Sequence, residues 1–315
     1  MFLAIDIGGT TIKSGLVDSE GKIVAYHVVP TQGESNSAFA GSLRQAILPL
    51  LKKNLPDACG IGSPGPLDLE NGEIIASANM AGLKHFPIVS QVRQIFSELG
   101  YCAPVFLNND ANCAALGQLY FGLGKESQDF AVLTLGTGLG GGLILNKKLF
   151  GGYQGNGFEV GHVPVAWPFF REEFADIPLM RCGCGSLGCV ETFASARGVQ
   201  NYYAYFTGSP NKRTAKEIAE IAEQDPNARK TFRLAAFALA GLLQGLIHTL
   251  NLPLIIITGG MAAAEKWLRP SLEEKLLPSL FPIFRERTKI VFTQGDEHSG
   301  VLGAAALCIT DSQGA

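Results

Sequence analysis

Apolar positions along the chain alternate between short β-rich runs closed by glycine and longer runs at helical spacing. Phe2–Ile7 reads as a strand, Gly8-Gly9-Thr10 as a tight turn, and residues 12–17 and 22–29 as returning strands joined through Ser19-Glu20-Gly21. The pattern then predicts a helix over 35–53, a strand over 58–62, a helix over 88–99 and a strand over 104–107. Asp110 opens a helical pattern that runs to about 121, and a second strand-turn-strand unit begins at Phe130. Helices are predicted over 191–206, 214–223 and 227–250, a short buried strand over 254–258 closed by Gly259-Gly260, and a last helix over 299–309.

The two strand-turn-strand units resemble each other. Asp6-Ile-Gly-Gly-Thr10 and Thr134-Leu-Gly-Thr-Gly138 sit at equivalent offsets, each with apolar residues continuing beyond the turn. An internal duplication of α/β halves follows, with the division near residue 115 and phosphates expected between the two domains. No proline- or serine-rich linker marks that division.

Composition narrows the function classes. The 315 residues suffice for two domains with their own cores, and 47% apolar with 17% charged residues is an ordinary globular balance. A net charge of −3 carries no electrostatic footprint for nucleic acid or an anionic membrane. The first residues lack a basic segment, and the longest apolar stretch, residues 234–247, is short and broken by Gln244, so a buried core helix and a cytoplasmic location are expected. Of seven cysteines, Cys59, Cys102, Cys113 and Cys308 are scattered and read as small buried hydrophobes.

Both glycine turns suit phosphate, because bare backbone N–H groups can approach it and a threonine adds a hydroxyl donor. Neither is a Walker A loop or a dinucleotide fingerprint, since the glycines join two strands. Asp6 precedes the first turn, where a carboxylate can hold Mg²⁺ or its water shell, and Lys13 follows closely. Two ligand-free hairpins are the plainer alternative; two turns at equivalent positions, one behind an aspartate, favour the ligand.

Cys182, Cys184 and Cys189 lie within eight residues, separated by glycines, with His162 upstream in Glu159-Val-Gly-His162. Three thiolates and one imidazole make a closed tetrahedral zinc set with no open position, hence a structural metal; a redox thiol cluster is the alternative. Asn109-Asp110 falls where a strand gives way to a helix. Asp110 suits the carboxylate that takes a proton from an attacking hydroxyl, although on the residues alone a plain helix cap is the favoured reading. Glu159 and Glu191 flank the metal loop and suit pairing with vicinal sugar hydroxyls; Asn79 is a further candidate, or a surface-loop asparagine.

Together these motifs resemble the ROK family of repressors, open reading frames and kinases, in order from residue 6 to 260. The resemblance implies an actin-like ATPase (ribonuclease H-like) duplicated α/β fold, two domains around a cleft: residues 1–115, with a helix over 298–315 packing back on them, and residues 116–297 with the zinc loop. It implies ATP-dependent phosphorylation of a hexose, glucose at its 6-hydroxyl by default, with Asp110 as the base. Asn109, Glu159, His162 and Glu191 would hold the sugar, and His162, Cys182, Cys184 and Cys189 the Zn²⁺. Asp6, Gly8, Gly9, Thr10, Lys13, Gly136, Thr137, Gly138, Gly259 and Gly260 would serve Mg-ATP. A homodimer is implied as well. The alternatives are an N-acylhexosamine kinase acting on N-acetylmannosamine or N-acetylglucosamine, and a catalytically silent sugar sensor. With the first phosphate strand beginning at Phe2, no N-terminal winged-helix segment of the kind the family's repressors carry is expected. The stretch over 163–181 is longer than the family's usual link and aromatic, suggesting a lid, a specificity element or a dimer contact.

Overall fold

A computed structural model describes residues 1–51, 55–76, 80–170, 172–209 and 213–312. The chain opens with β1 (Phe2–Ile7), β2 (Thr11–Val17) and β3 (Ile23–Pro30), followed by α1 (Asn36–Leu51) and β4 (Ala58–Ser63). Three short strands, β5 (Leu67–Asp68), β6 (Glu73–Ala76) and β7 (Lys84–Phe86), form a small antiparallel sheet of their own. Then come α2 (Ile88–Glu98), β8 (Val105–Asn109) and α3 (Asp110–Phe121). The second half begins with β9 (Phe130–Leu135), β10 (Leu139–Leu145) and β11 (Lys148–Leu149). Helices α4 (Glu191–Ala194), α5 (Ala196–Thr207), α6 (Ala215–Ile221) and α7 (Pro226–Leu250) lead to β12 (Leu254–Thr258), α8 (Glu265–Ser279), α9 (Pro282–Arg285), β13 (Lys289–Phe292) and α10 (Ser299–Ser312).

The duplication is explicit in the strand order. One sheet runs β3-β2-β1-β4-β8 and the other β11-β10-β9-β12-β13, so each strand of the first has its counterpart in the second. In both, an antiparallel hairpin is extended by parallel strands: β1 is parallel to β4 and β4 to β8; β9 is parallel to β12 and β12 to β13. This is the duplicated actin-like plan. The central strands β1, β4, β9 and β12 are apolar almost throughout, as strands covered on both faces must be.

Two compact units result. The first takes Met1–Gln128, Gly142–Phe158 and Asp296–Ala315; the second takes Asp129–Gly141 and Glu159–Gly295. In the first, α10 lies against β1, β4 and α3. Its approach is closer than any side chain would permit: a Cβ on Gly60 would strike the Ala304 carbonyl, and one on Gly303 would lie 2.6 Å from the Cys113 carbonyl. In the second, α7 is long and apolar enough to cross a membrane by length and composition, but every residue from Leu234 to Leu243 is buried within the protein, which makes it a core helix.

Several elements differ from the sequence expectation. The helix expected over 191–206 is broken at Ser195, whose extended backbone and hydroxyl, accepting from the Gly198 N–H at 3.1 Å, cap a fresh helix. Helix α8 was not expected, since Pro270 and Pro278 lie inside it. Strands β5, β7 and β13 were not expected either, whereas β6 falls where a short strand was expected before Asn79; all four span only two to four residues. The aromatic stretch before Cys182 is built into the helical layer. Phe170 and Phe174 are fully buried, Phe174 meets Phe237 of α7 edge-on at 5.3 Å, and the Tyr202 hydroxyl of α5 donates to the Pro178 carbonyl at 2.8 Å. Arg233 on α7 grips Glu173 at 2.7 Å and Glu274 at 2.6 Å, and Lys275 on α8 reaches Glu172 at 2.9 Å. These anchors answer to a fixed buttress rather than a free lid.

Candidate functional site

In the first unit, strand register brings the candidate residues to one edge. Across the parallel strands, Asp6 stands beside Gly62, and Gly62 beside Asn108. Asp6 and Asn108 are therefore two strand spacings apart, about 10 Å. Asp6 also faces Lys13 in the β1–β2 hairpin. Burial pushes the Asp6 carboxyl above its ordinary range, with Lys13 opposing the rise. Gly300, at the start of α10, packs so closely on Asp6 that a Cβ there would displace the Asp6 carboxylate. The turn between Asp6 and Lys13 is held by the Gly8 N–H donating to the Thr11 carbonyl at 2.9 Å and the Thr31 hydroxyl donating to the Gly8 carbonyl at 2.8 Å.

At the end of β8, Asn109 supplies the cap of α3, its side-chain oxygen accepting from the Ala111 N–H at 2.8 Å. Asp110 is then the first helical residue and shares that N–H, at 2.8 Å from its Oδ1. The plainer reading of Asp110 as the cap thus gives way: the neighbour caps, and the Asp110 side chain is exposed at the helix start. Asn79 lies outside the described residues.

In the second unit, Gly136-Thr137-Gly138 joins β9 to β10, closed by the Gly136 N–H donating to the Gly138 carbonyl at 2.9 Å. β12 ends beside β9, with Thr258 opposite Thr134, which brings Gly259 and Gly260 to the same edge. Gly259 has φ +95°, and a Cβ there would sit 2.6 Å from the Leu135 carbonyl, so this position requires glycine.

The four expected metal ligands converge. The ligand atoms of His162, Cys182, Cys184 and Cys189 all lie within 4.8 Å of one another. Cys182 Sγ is 3.4 Å from His162 Nδ1, and Cys184 Sγ is 3.6 Å from Cys189 Sγ. A tetrahedral zinc with bonds of about 2.0–2.3 Å sets its ligands roughly 3.5–3.8 Å apart, so the set fits that ion. Burial pushes the Cys182 thiol up to about 12 and also raises Cys189, while the Ser186 backbone N–H lowers exposed Cys184 to about 7. Buried thiols without a cation favour the neutral form, and a bound metal reverses that preference.

Beside this cluster, Glu159 Oε2 stands 4.0 Å from His162 Nε2. Glu191 uses both oxygens: Oε2 accepts from the Leu139 N–H at 2.9 Å, and Oε1 accepts from Cys182 Sγ at 3.4 Å. The sequence reading missed Leu139 and Gly300, since both act through backbone contacts to residues far along the chain. Among the signals it did use, the spacing of the metal loop is the one the geometry matches most fully.

Comparison with known proteins agrees in kind and extent. The sequence matches the ROK family over residues 2–311. It is 33% identical to a glucokinase of Thermotoga maritima, covering 97% of this chain and 96% of that one. It is 32% identical to an N-acetyl-D-glucosamine kinase of Aliivibrio fischeri, over 99% of this chain and all of the other. In structure it resembles a ROK glucokinase of Streptomyces griseus solved with glucose and AMPPNP, with a TM-score of 0.79, 30% identity and coverage of 97% and 98%. With the duplicated sheets, the paired glycine turns and this match along almost its entire length, the chain belongs to the ROK family.

Proposed function

We propose that this protein is an ATP-dependent hexose kinase, with glucose phosphorylated at its 6-hydroxyl. The observation that carries the reading is the register placing Asp6 and the Asn109-Asp110 pair at the same ends of β1 and β8. Phosphoryl transfer asks little covalent chemistry of a protein. It needs a positioned hydroxyl, a base for its proton and neutralised phosphate charge. Asp110 takes the proton as the sugar oxygen attacks the γ-phosphorus of Mg-ATP, and ADP leaves. Asn109 holds the sugar beside it through its amide; Asp6 would hold Mg²⁺ or its water shell, which would neutralise phosphate charge, with Lys13 near the phosphates. On the second unit, Gly136, Thr137 and Gly138 present N–H groups to phosphate, and Gly259-Gly260 leave room for the nucleoside. Glu159, His162 and Glu191 bind sugar hydroxyls.

Zn²⁺ at His162, Cys182, Cys184 and Cys189 would act as a structural cross-link, and the spacing of the four ligand atoms supports it. All four positions are protein ligands, so no step passes through the metal. A cytoplasmic homodimer completes the reading.

A second reading is favoured by specific relatives: the Aliivibrio N-acetyl-D-glucosamine kinase and a Yersinia pestis N-acetylmannosamine kinase at 30% identity leave an N-acylhexosamine substrate open. The test is ATP-dependent phosphorylation of glucose, mannose, fructose, N-acetylglucosamine and N-acetylmannosamine in parallel. Preference for glucose supports the proposal, preference for an acylated sugar moves the substrate, and no turnover from folded, metal-loaded protein supports a silent sensor.

A further inference from the structure

The glycine turn Gly136–Gly138 is tied twice to the segment that follows the metal loop. The Leu139 N–H donates to Glu191 Oε2 at 2.9 Å, and the Ala196 N–H donates to the Gly136 carbonyl at 2.9 Å. The first tie lies beside the metal loop: the other oxygen of Glu191 is 3.4 Å from Cys182 Sγ, a hydrogen bond of the metal-free thiol that a metal-bound thiolate cannot make, so the link to the loop runs through the backbone from Cys189. Glu191 also follows Cys189 by two residues. The contact is close-fitting: any Cβ on Gly138 would collide with the Glu191 carboxylate. A cavity of about 60 Å³ is lined by Thr137 of the turn together with Cys182, Glu191, Ser195 and Arg197.

The loop carrying Gly183, Gly185 and Gly188 is a short turn held by the Cys182 N–H donating to the Ser186 carbonyl at 2.8 Å and the Gly185 N–H donating to the Cys182 carbonyl at 2.9 Å, and its ligands would cross-link it further. Metal binding adds its free energy to such a turn and restrains it further. Glu191 takes its position from that turn, and Leu139 takes its acceptor from Glu191. We infer that Glu191 is a positioning residue through which metal occupancy sets the phosphate turn, so that loading His162, Cys182, Cys184 and Cys189 raises affinity for nucleotide phosphates even with no sugar present. The inference rests on the nucleotide reading of the turn.

The experiment titrates a fluorescent, non-hydrolysable ATP analogue with Mg²⁺, without sugar, into zinc-loaded and chelator-stripped protein. Zinc content and circular dichroism are recorded for each sample. Stripping weakens nucleotide binding roughly tenfold, within the usual range of coupling between two sites. Zinc-loaded Glu191→Gln stays within about twofold of the unaltered protein, because the amide oxygen still accepts from Leu139. Zinc-loaded Glu191→Ala binds like the stripped protein. A Glu191→Ala protein that holds zinc and binds nucleotide normally overturns the inference.

Coupling is reciprocal, which gives a second measurement free of variants. Zinc affinity in competition with a chelator tightens by the same factor when the Mg-nucleotide analogue is present. Equal zinc affinities with and without it overturn the inference. The two readings fail separately. Nucleotide binding that is normal and indifferent to zinc removes only the coupling, whereas no nucleotide binding by loaded, folded protein removes the nucleotide reading and the coupling with it.

Discussion

Replacing Asp110 by asparagine isolates proton acceptance from every other property of the site. The side chain keeps its shape, and its amide oxygen can still accept from the Ala111 N–H that Asp110 Oδ1 meets at 2.8 Å. The helix cap is untouched, since Asn109 supplies it. What disappears is a negative charge in the first turn of α3, where the helix dipole favours it by about 0.3–1 kcal/mol. Through the dipole the fold loses about 0.3–1 kcal/mol, a small fraction of a typical domain's stability. The catalytic loss is far larger. General-base assistance contributes about 10²–10⁴-fold, which is roughly 3–5 kcal/mol of barrier. Steady-state kinetics by coupled ADP detection will show kcat reduced by that factor with KM for sugar little changed, and calorimetry will show sugar binding preserved. A variant that turns over within tenfold of the unaltered enzyme refutes Asp110 as the base. Lost sugar binding with a normal melting curve would instead make it a binding residue.

Cys184→Ser should reduce bound zinc from one equivalent towards none and destabilise the second unit; metal analysis still finding a full equivalent would remove Cys184 from the ligand set. Asp6→Asn should make the ligand-free protein more stable at neutral pH while abolishing Mg-ATP-dependent turnover. Burial raises the native pKa of Asp6, so the native state holds the proton more tightly than the unfolded chain. Stability is then lost as pH rises from about the unfolded value of 3.8 through the raised native one, and the advantage of the variant should vanish in acid; denaturant melts at several pH values that differ by a constant amount would contradict this. Arg233→Met should cost about 1–2 kcal/mol, from partly exposed pairs to Glu173 and Glu274 and the contact with Phe237 at 4.8 Å. A double-mutant cycle with Glu173→Gln measures the share of that pair, and a coupling of zero would mean it does not hold the 163–181 stretch in place.

Much of the site was legible in the sequence because its chemistry is local. Cysteines at 182, 184 and 189 can only wrap one centre when glycines separate them, and two glycine turns behind like strands announce a repeat. The break at Ser195 was legible in principle, since a serine before small residues is a cap, but the apolar spacing ran straight through it. Helix α8 was hidden because its two prolines outweigh its periodicity locally, while packing against α7 decides the outcome. The role of the 163–181 stretch could not be read from composition at all. Exposed aromatics and buried aromatics are spelled alike, and only the surroundings of Phe170 and Phe174 separate a flap from a buttress.

The position of α10 has a consequence for how the protein is made. The first unit begins at Met1, yet the helix that covers β1 and β4 begins at Ser299. During synthesis, strands carrying Asp6 and Gly60 must wait for that helix through the production of the whole second unit, whose main segment is Glu159–Gly295. At ordinary elongation rates the wait is on the order of 10–50 s. The second unit can complete itself first, reversing the usual N-terminal-first order. Until then the apolar back of β1 and β4 is bare, which makes the nascent N-terminal half a natural client for chaperones and the last helix the step that ends its exposure.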